Sequence, residues 1–512
     1  MADISMAKFK RVDRDQGVMV PISYGNQILP GTFEHAIDYI VENRINTSSL
    51  EARYRNDETG ASAYSPKILL KIILFAYSRG IVSSRKIEHA CLENVVFMAL
   101  TGGQAPDFTT IAGFVRSLKD EINNIFRDVL LICEELNLLG GTEFAIDGCK
   151  MSSNASKEWS GTFSDLKKKK EKIESNVKHL LKKHRRADGG DSAGEDSERL
   201  KKQIERIEKK ANKIENFLRE NEPKPNSRKG ERQSNITDNE SAKMKTSHGV
   251  IQGYNGMAIN DSKKQVIIAA EAFGSGQEQD LLKPMIEGAK ENMEAVGLGQ
   301  GYLKEKTLIA DTGSFCENNL KYLSEEEIDA YIPDQQFRKR DPRFEERDRF
   351  RPDRNIRYTK ENFIYREDTN DFVCPEGNIL EFKLNQTFGN TSGRVYKAKQ
   401  AECRKCSQRV KCVNSDKTRH RSLYVIENFF NRNFSEEMKS KIDTPEGREI
   451  YSRRMGIIEP VFGNIKNAKG LDGFTLRSKA KVNVQWVLYC MVHNIEKILK
   501  YGEYEQVAVS QT

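Results

Sequence analysis

The chain has 512 residues, 37% of them hydrophobic and 31% charged, enough apolar material for cores in about two to four domains around polar insertions. Its 83 basic and 75 acidic residues leave a net charge of only +8, so a nucleic-acid partner has to be argued from where basic residues cluster rather than from their excess. No run of about 18 apolar residues occurs, and the opening residues lack the charged-then-apolar pattern of a secretory signal, so no membrane span is expected and the expected address is the cytoplasm.

Residues 64–135 carry helical spacing, as in Pro66-Lys-Ile-Leu-Leu-Lys-Ile-Ile-Leu-Phe-Ala-Tyr77, with Pro66 suited to a first turn. They predict an all-helical domain over residues 1–138. It reads either as a structural bundle or as a helix-turn-helix-like DNA-binding module, and the sequence does not pick out a recognition helix.

A short apolar run, Thr142-Glu-Phe-Ala-Ile-Asp147-Gly148, then predicts a buried strand that delivers Asp147 at its carboxyl end and opens a core sheet over residues 139–162. Residues 163–235 interrupt it. They are highly charged and split into two helical halves by Ala187-Asp-Gly-Gly-Asp-Ser-Ala-Gly194. Apolar stripes at Leu166, Ile173, Val177 and Leu180, and at Leu200, Ile204, Ile207, Ala211, Ile214 and Leu218, predict an antiparallel coiled-coil hairpin. Its lysine runs read as a solvated surface or as a DNA contact. A linker-like stretch, Glu222-Pro-Lys-Pro-Asn-Ser-Arg-Lys-Gly230, follows.

The core resumes over residues 236–333, with strands at Val250–Ile259, Gln265–Phe273 and Thr307–Asp311 and a helical pattern over Gln277–Val296. A second insertion, basic and with four cysteines, occupies residues 334–443. A long helical stretch from Pro445 to Lys500 then dominates the last segment, residues 444–512. This order suits an α/β fold with a ribonuclease H-like core: a mixed sheet flanked by helices, interrupted by a helical hairpin and a Cys-containing insertion.

Asp147-Gly148 and Asp311-Thr312-Gly313 each end a predicted strand, which places two carboxylates at the mouth of a sheet. Such oxygen ligands suit Mg²⁺ or Mn²⁺, which bind through a few carboxylates plus substrate phosphates. Two ions roughly 3.5 to 4 Å apart clamp the attacking and leaving oxygens of a phosphoryl transfer. Alone, an Asp-Gly pair is usually a turn. A third element adds weight: Tyr451, Arg454, Glu459 and Lys466 occupy one helical stretch. At about 100° per residue, Glu459 and Lys466 fall within about 20° of each other. Both flank the apolar stripe of Ile458, Val461, Phe462 and Ile465, so they suit a metal ligand and a phosphate contact.

At these residues the chain resembles the IS1182 family within the IS4-like superfamily of bacterial insertion-sequence transposases, over most of its length. Tyr64-Ser-Pro-Lys67 and Pro106-Asp-Phe-Thr-Thr-Ile-Ala-Gly-Phe-Val115 are similar to that family's helical domain. Phe144-Ala-Ile-Asp147-Gly-Cys-Lys-Met-Ser-Ser-Asn-Ala-Ser156 is similar to its first-Asp motif, Met244-Lys-Thr-Ser-His-Gly-Val-Ile-Gln-Gly-Tyr254-Asn255 to its strand-pair motif, and Ala310-Asp311-Thr-Gly-Ser314 to its second-Asp motif. Tyr451, Arg454, Glu459 and Lys466 resemble the Tyr-Arg-Glu-Lys signature. Four residues rather than three separate Arg454 from Glu459, so Arg453 competes with Arg454 for the phosphate contact. The resemblance implies a ribonuclease H-like fold with Asp147, Asp311 and Glu459 as catalytic metal ligands, and two divalent ions. It also implies binding to terminal inverted repeats and cleavage followed by strand transfer, which in the superfamily often passes through a hairpin end. A homodimer on DNA is expected, because two transposon ends must be brought together. The alternatives are a transposon-derived DNA-binding protein that has lost recombination, or a nuclease that cuts without joining.

Other features point less far. Cys374, Cys403, Cys406 and Cys412 suit a structural zinc or reduced structural thiols, with Arg404, Lys405, Arg409 and Lys411 beside them. Cys91, Cys133, Cys149, Cys316 and Cys490 read as core thiols. Between Phe337 and Tyr358, Arg338, Lys339, Arg340, Arg343, Arg347, Arg349, Arg351, Arg354 and Arg357 alternate with acids and with Phe344 and Phe350, a DNA-tracking loop or a solvated one. Trp159 is either a base-stacking or a packing residue. His89 and His248 read as packed or surface residues. Gly297-Leu-Gly-Gln-Gly301 lacks dinucleotide-loop spacing and no phosphate-binding loop ending in Lys-Ser or Lys-Thr occurs, so no nucleotide cofactor is expected.

Overall fold

The computed structural model describes residues 21–54, 62–187, 194–225, 230–247, 249–347, 358–388, 391–413, 415, 417–426 and 433–503. They form two compact units: residues up to Ala76 with Ile81–Phe114, and Tyr77–Gly80 with everything from Val115 onward. Residues 188–193 between the two helical halves, residues 226–229 of the linker-like stretch, His248, and Arg349, Phe350, Arg351, Arg354 and Arg357 lie outside the described residues.

The amino-terminal part is helical: α1 (Phe33–Asn43), α2 (Pro66–Ser78), α3 (Ser84–Glu93), α4 (Val95–Thr101) and α5 (Phe108–Ser117). Side-chain caps set the starts. Thr32 accepts from the His35 N–H at 3.3 Å, Asn94 from Val96 at 2.9 Å, and Asp107 from Thr109 at 2.8 Å and Thr110 at 3.0 Å. Ile37, Ile40, Leu69, Ile73, Phe75 and Phe97 are buried. Among them Lys71 buries its ammonium between Asp38 and Glu42, at 2.7 and 2.6 Å, which compensates a charge otherwise costly to take out of water.

In the second unit, α6 (Ile122–Glu135) leads into β1 (Glu143–Ser152), followed by α7 (Phe163–Ala187) and α8 (Gly194–Glu220). The last two run antiparallel. Phe163 and Leu166 near the start of one pack with Ile214 and Phe217 near the end of the other, and Lys170 pairs with Glu215 at 3.1 Å. Then come β2 (Ala242–Thr246), β3 (Gly249–Asp261), β4 (Ile267–Phe273), α9 (Leu282–Ala295), β5 (Thr307–Ala310), α10 (Glu317–Glu325) and β6 (Asp329–Tyr331). These strands form one mixed sheet in the order β6-β5-β1-β3, whose far edge is shared by β2 and β4. β1 is its pivot: antiparallel to β3 from Phe144↔Asp261 to Ser152↔Gly253, and parallel to β5 only as far as Ile146↔Ala310.

A separate antiparallel meander follows: β7 (Ile364–Arg366), β8 (Asp371–Val373), β9 (Ile379–Phe388), β10 (Thr391–Ala398) and β11 (Ser422–Ile426). Phe363, Phe372, Leu380, Tyr396, Leu423 and Val425 form its core. The chain ends in α11 (Phe434–Ile442), α12 (Pro445–Gly463) and α13 (Lys479–Tyr501). The helical stretch expected from Pro445 to Lys500 is therefore two helices. The first passes through a π-helical turn at Asn464–Ala468, and the chain then turns at Gly470, with φ at +64°, before Ser478 starts the second.

Both helices are fastened to the sheet by specific contacts. Ile457 and Ile458 of α12 pack on Ala145 of β1 and Ile309 of β5. Truncating Ile458 to Ala would cost about 2–5 kcal/mol. Pro460 deprives the Gly456 carbonyl of its helical partner, and the Gln265 side-chain amide donates to that carbonyl instead at 2.7 Å. On α13, the Trp486 indole N–H donates to Met257 O at 2.9 Å, and its ring lies 2.9 Å from where a Cβ on Gly256 would stand. Asn494 bonds both backbone groups of Ile267 at 2.9 Å.

His493 of α13 is buried, its Nε2–H donating to Gln265 O at 2.9 Å and its Nδ1 facing the Asn464 amide at 3.4 Å. Burial pushes its pKa down from 6.5 to about 3, with Lys497 and Lys469 adding to the effect. The folded state holds His493 neutral while the unfolded chain protonates it, so this site contributes stability above pH 6.5 that is lost as the pH falls toward about 3. His493→Gln keeps a donor toward Gln265. Its melting temperature should fall less steeply than that of the wild type between pH 6.5 and pH 4, and equal slopes would show that His493 does not titrate as its burial requires.

Candidate active site

The parallel pairing of β1 with β5 ends at Ile146↔Ala310, so the next residues on the two strands are Asp147 and Asp311. The apolar run before Asp147 predicts a strand that ends there. In the structure β1 runs on to Ser152 because β3 continues to pair with it, so Asp147 sits where the strand loses one neighbour and keeps the other. Asp311 does end its strand and caps the following turn, Oδ1 accepting from the Gly313 N–H at 2.9 Å.

Asp147 accepts from its neighbour Gly148 N–H at 2.8 Å through Oδ1 and from Arg454 Nη2 of α12 through Oδ2. Both members of this ion pair are largely buried. Burial nevertheless pushes the Asp147 carboxyl up to about 6; Arg454 and the Gly148 N–H oppose the rise, while Asp311 and Glu278 add to it. Tyr451 stands one turn before Arg454, its ring T-shaped against Phe337 at 5.4 Å. Burial raises its pKa, and the charges of Arg454, Asp311 and Asp147 all reach its hydroxyl.

Glu278, which the sequence reading passed over, is the third carboxylate beside the two aspartates. It lies in a single 3₁₀ turn, Glu278–Asp280, ahead of α9 and is only 9% exposed. Lys150 of β1 pairs with it at 2.8 Å and Asn255 of β3 donates to it at 3.4 Å. Burial and the nearby Asp311 raise its pKa, and Lys150 opposes them. Two glycines make room for this arrangement. A Cβ on Gly313 would stand 2.1 Å from Glu278 Oε2, and one on Gly148 would stand 2.6 Å from Asn255 Oδ1. The Asp-Gly and Asp-Thr-Gly patterns were thus the visible signal of a buried neighbour, but nothing local said which residue it was.

Glu459 is exposed on α12, five residues beyond Arg454, and makes no hydrogen bond or ion pair among the described residues. The structure thus brings Asp147, Asp311, Arg454 and Tyr451 together and leaves Glu459 on the same helix without a contact to either aspartate. Lys466, in the π turn, reaches the Cys149 thiol, whose pKa burial still raises. Arg453 points elsewhere, pairing with Glu143 and with Glu449 at 3.0 Å.

The other candidate contacts are already engaged. Arg340 bridges Asp334 and Asp443, both at 2.6 Å, and Arg343 holds Asp341 at 2.7 Å. Arg338 stacks over Phe344 at 5.7 Å. Trp159 packs on the Phe163, Leu166 and Ile214 cluster, with the Lys169 ammonium 4.9 Å above its ring. His89 is exposed and pairs with Glu93 at 2.9 Å. Cys374, Cys403, Cys406 and Cys412 are all reduced and line one small cavity.

The donors around Asp147 and Asp311 are oxygens, as a hard divalent cation requires. Burial, with Asp311 beside them, raises the pKa of Asp147 and of Glu278, and Asn255 Oδ1 is buried without a hydrogen-bond partner. Among the described residues, no three His, Cys, Asp or Glu side chains already converge on an ion-sized point, and the Arg454 guanidinium supplies the positive charge beside Asp147. The residues fit a cation by chemistry and by charge.

Two family comparisons bear on the chain. The family described as a transposase DDE domain matches residues 373–499, and the family described as a transposase domain (DUF772) matches residues 23–117. The first stretch contains the clustered cysteines, Tyr451, Arg454, Glu459 and Lys466; neither contains Asp147 or Asp311. No curated protein and no solved structure matches the chain. The mixed sheet with its flanking helices fits the ribonuclease H-like core of a DDE domain. With a match to one transposase domain near its start and to a transposase DDE domain toward its end, the chain carries the domain pair typical of IS1182-family transposases.

Proposed function

We propose that this transposase binds the terminal inverted repeats of its element and cuts and rejoins DNA strands with divalent metal ions held at Asp147, Asp311 and Glu459. The observation that carries the reading is the adjacency of Asp147 and Asp311 at the end of the β1–β5 pairing, with Arg454 on the first of them. Two Mg²⁺ or Mn²⁺ ions, when bound, polarise the scissile phosphate and activate the attacking water or 3′-hydroxyl. The chain's own residues do the rest. The two aspartates hold and orient the site, and Arg454, paired with Asp147, is the guanidinium placed to meet a phosphate oxygen. Its bond to Asp147 favours it over Arg453, whose partners lie on an exposed flank.

Glu459 rather than Glu278 is assigned as the third ligand because it is unengaged, whereas Lys150 already compensates Glu278. Glu278 acts as a positioning residue for the Asp311–Gly313 turn. The helical hairpin and the Cys-containing meander are insertions in this core, and the DUF772 unit is the DNA-binding domain. A homodimer on DNA accounts for two ends acting together. No helix among the described residues is long and apolar enough to cross a membrane.

Cleavage of labelled DNA carrying the element's own ends tests the assignment. Asp147→Asn, Asp311→Asn and Glu459→Gln should each lose about 10³-fold or more in rate while still shifting the DNA in a gel, a loss within the range of removing one transition-state charge contact. Glu278→Gln should lose less than tenfold. Normal cleavage by any of the first three would remove that acid from the metal set.

Metal affinity should also depend on pH. Because Asp147 titrates at about 6, a bound cation must displace its proton below that value. Mn²⁺ affinity should therefore rise by about tenfold per pH unit up to about pH 6 and level off above it. Titration followed by the loss of the free-Mn²⁺ paramagnetic signal checks this, and a pH-independent affinity would mean that Asp147 is not a ligand.

A further inference from the structure

Four cysteines far from the carboxylates share one location. Cys374 directly follows β8, Cys403 lies in a short helix (Gln400–Lys405) that Cys406 caps, and Cys412 ends the next helical turn; all four line a cavity of about 20 Å³, room for one water- or ion-sized particle. Their backbone settings differ from those of ordinary core thiols. Cys374-Pro-Glu-Gly377 forms a tight knuckle in which Gly377, at φ +79°, donates to Cys374 O at 2.9 Å. The next N–H, of Asn378, points at the Cys374 sulfur at 3.2 Å. The Arg421 N–H likewise approaches the Cys403 sulfur at 3.5 Å. Backbone N–H groups aimed at sulfur stabilise a thiolate more than a neutral thiol.

The charges around the cavity point the same way. Arg409 and Arg421 line it, both half-buried, and among the described residues neither pairs with a carboxylate. Arg409 donates to Cys403 O at 3.0 Å. Arg421 donates to Cys412 O at 2.8 Å and to Tyr358 O at 3.0 Å, and its Nε is buried with no partner. Two guanidinium groups around four neutral thiols would leave two positive charges uncompensated. Four thiolates on one Zn²⁺ carry a net charge of −2 and would balance them.

We propose that Cys374, Cys403, Cys406 and Cys412 bind one structural Zn²⁺ that holds the β7–β11 meander together. Each thiol gives its proton to solvent as it binds, and no oxidation or reduction is involved. The four sulfurs line the cavity without converging on one point, so binding draws them inward. A small meander with a single cluster of buried side chains is the kind of unit that a metal stabilises when its apolar core is thin.

Elemental analysis of the full chain purified with zinc present should give one zinc per chain, and Co²⁺ exchange should give thiolate-to-cobalt charge-transfer and tetrahedral d–d bands. Both should disappear in Cys403→Ser and Cys406→Ser and persist in Cys149→Ser. In case those variants fail to fold, alkylation of the wild type followed by peptide mapping gives an independent reading. A zinc-selective chelator should raise the labelling rates of Cys374, Cys403, Cys406 and Cys412 at least tenfold and leave that of Cys316 unchanged. Metal-free protein without cobalt–thiolate bands, or labelling of the four that is indifferent to chelator, would overturn the assignment.

Discussion

The feature on which the rest depends is the point where β1 loses its parallel partner. Up to Ile146↔Ala310 the two strands satisfy each other's backbone groups; one residue later β5 has turned into its capped 3₁₀ helix, and β1 continues paired with β3. Two carboxylates are thereby set side by side at a sheet edge where the backbone has already diverged. Burying carboxylates beside like charges is unfavourable, and burial first, then the neighbouring Asp311, raises the pKa of Asp147 and of Glu278. The fold bears this cost through contacts lying outside the cluster.

Those contacts come from the two carboxy-terminal helices. α13 is almost wholly buried and reaches the sheet through Trp486 and Asn494, which bond backbone groups of Met257 and Ile267. α12 docks through Ile457 and Ile458, and this docking, with the helical spacing, aims Arg454 at Asp147. One apolar patch therefore sets both the stability of the helix and the electrostatics of the site. Pro460 would break such a helix if Gln265 did not satisfy the Gly456 carbonyl, so a residue on the β3–β4 turn takes part in holding the helix that carries Glu459.

The two clusters of this chain, oxygen-rich and sulfur-rich, follow different physical logics. The carboxylates are rigidly framed by strand ends and glycines with no spare space, as expected where a reacting group must be held in one position. The cysteines lie on a knuckle and two short turns around a cavity, where backbone donors and arginines stand in for the partners that a hydrophobic core would otherwise supply. A thin core needs a cross-link more than it needs precision.

Much of the local structure was legible in the sequence. The short apolar runs ending at Asp147 and Asp311 marked strands, the stripe of Ile458, Val461 and Ile465 marked the buried face of α12, and the spacing of the cysteines marked a cluster. Each is a matter of residue type and period within a few positions, which one strand or one helical turn expresses. What the sequence left open concerns partners distant along the chain. Arg454 and Asp147 are 307 residues apart, and only the docking angle of α12 separates Arg454 from Arg453. Glu278 looked like the first turn of a helix, and only the closure of β3, β1 and the Asp311 turn around it made it part of the site. The length of β1 beyond Asp147 was likewise decided by β3, not by its own residues. Local periodicity reports which face of an element is apolar; which charge meets which across the fold depends on register and packing, and these exist only once the sheet has formed.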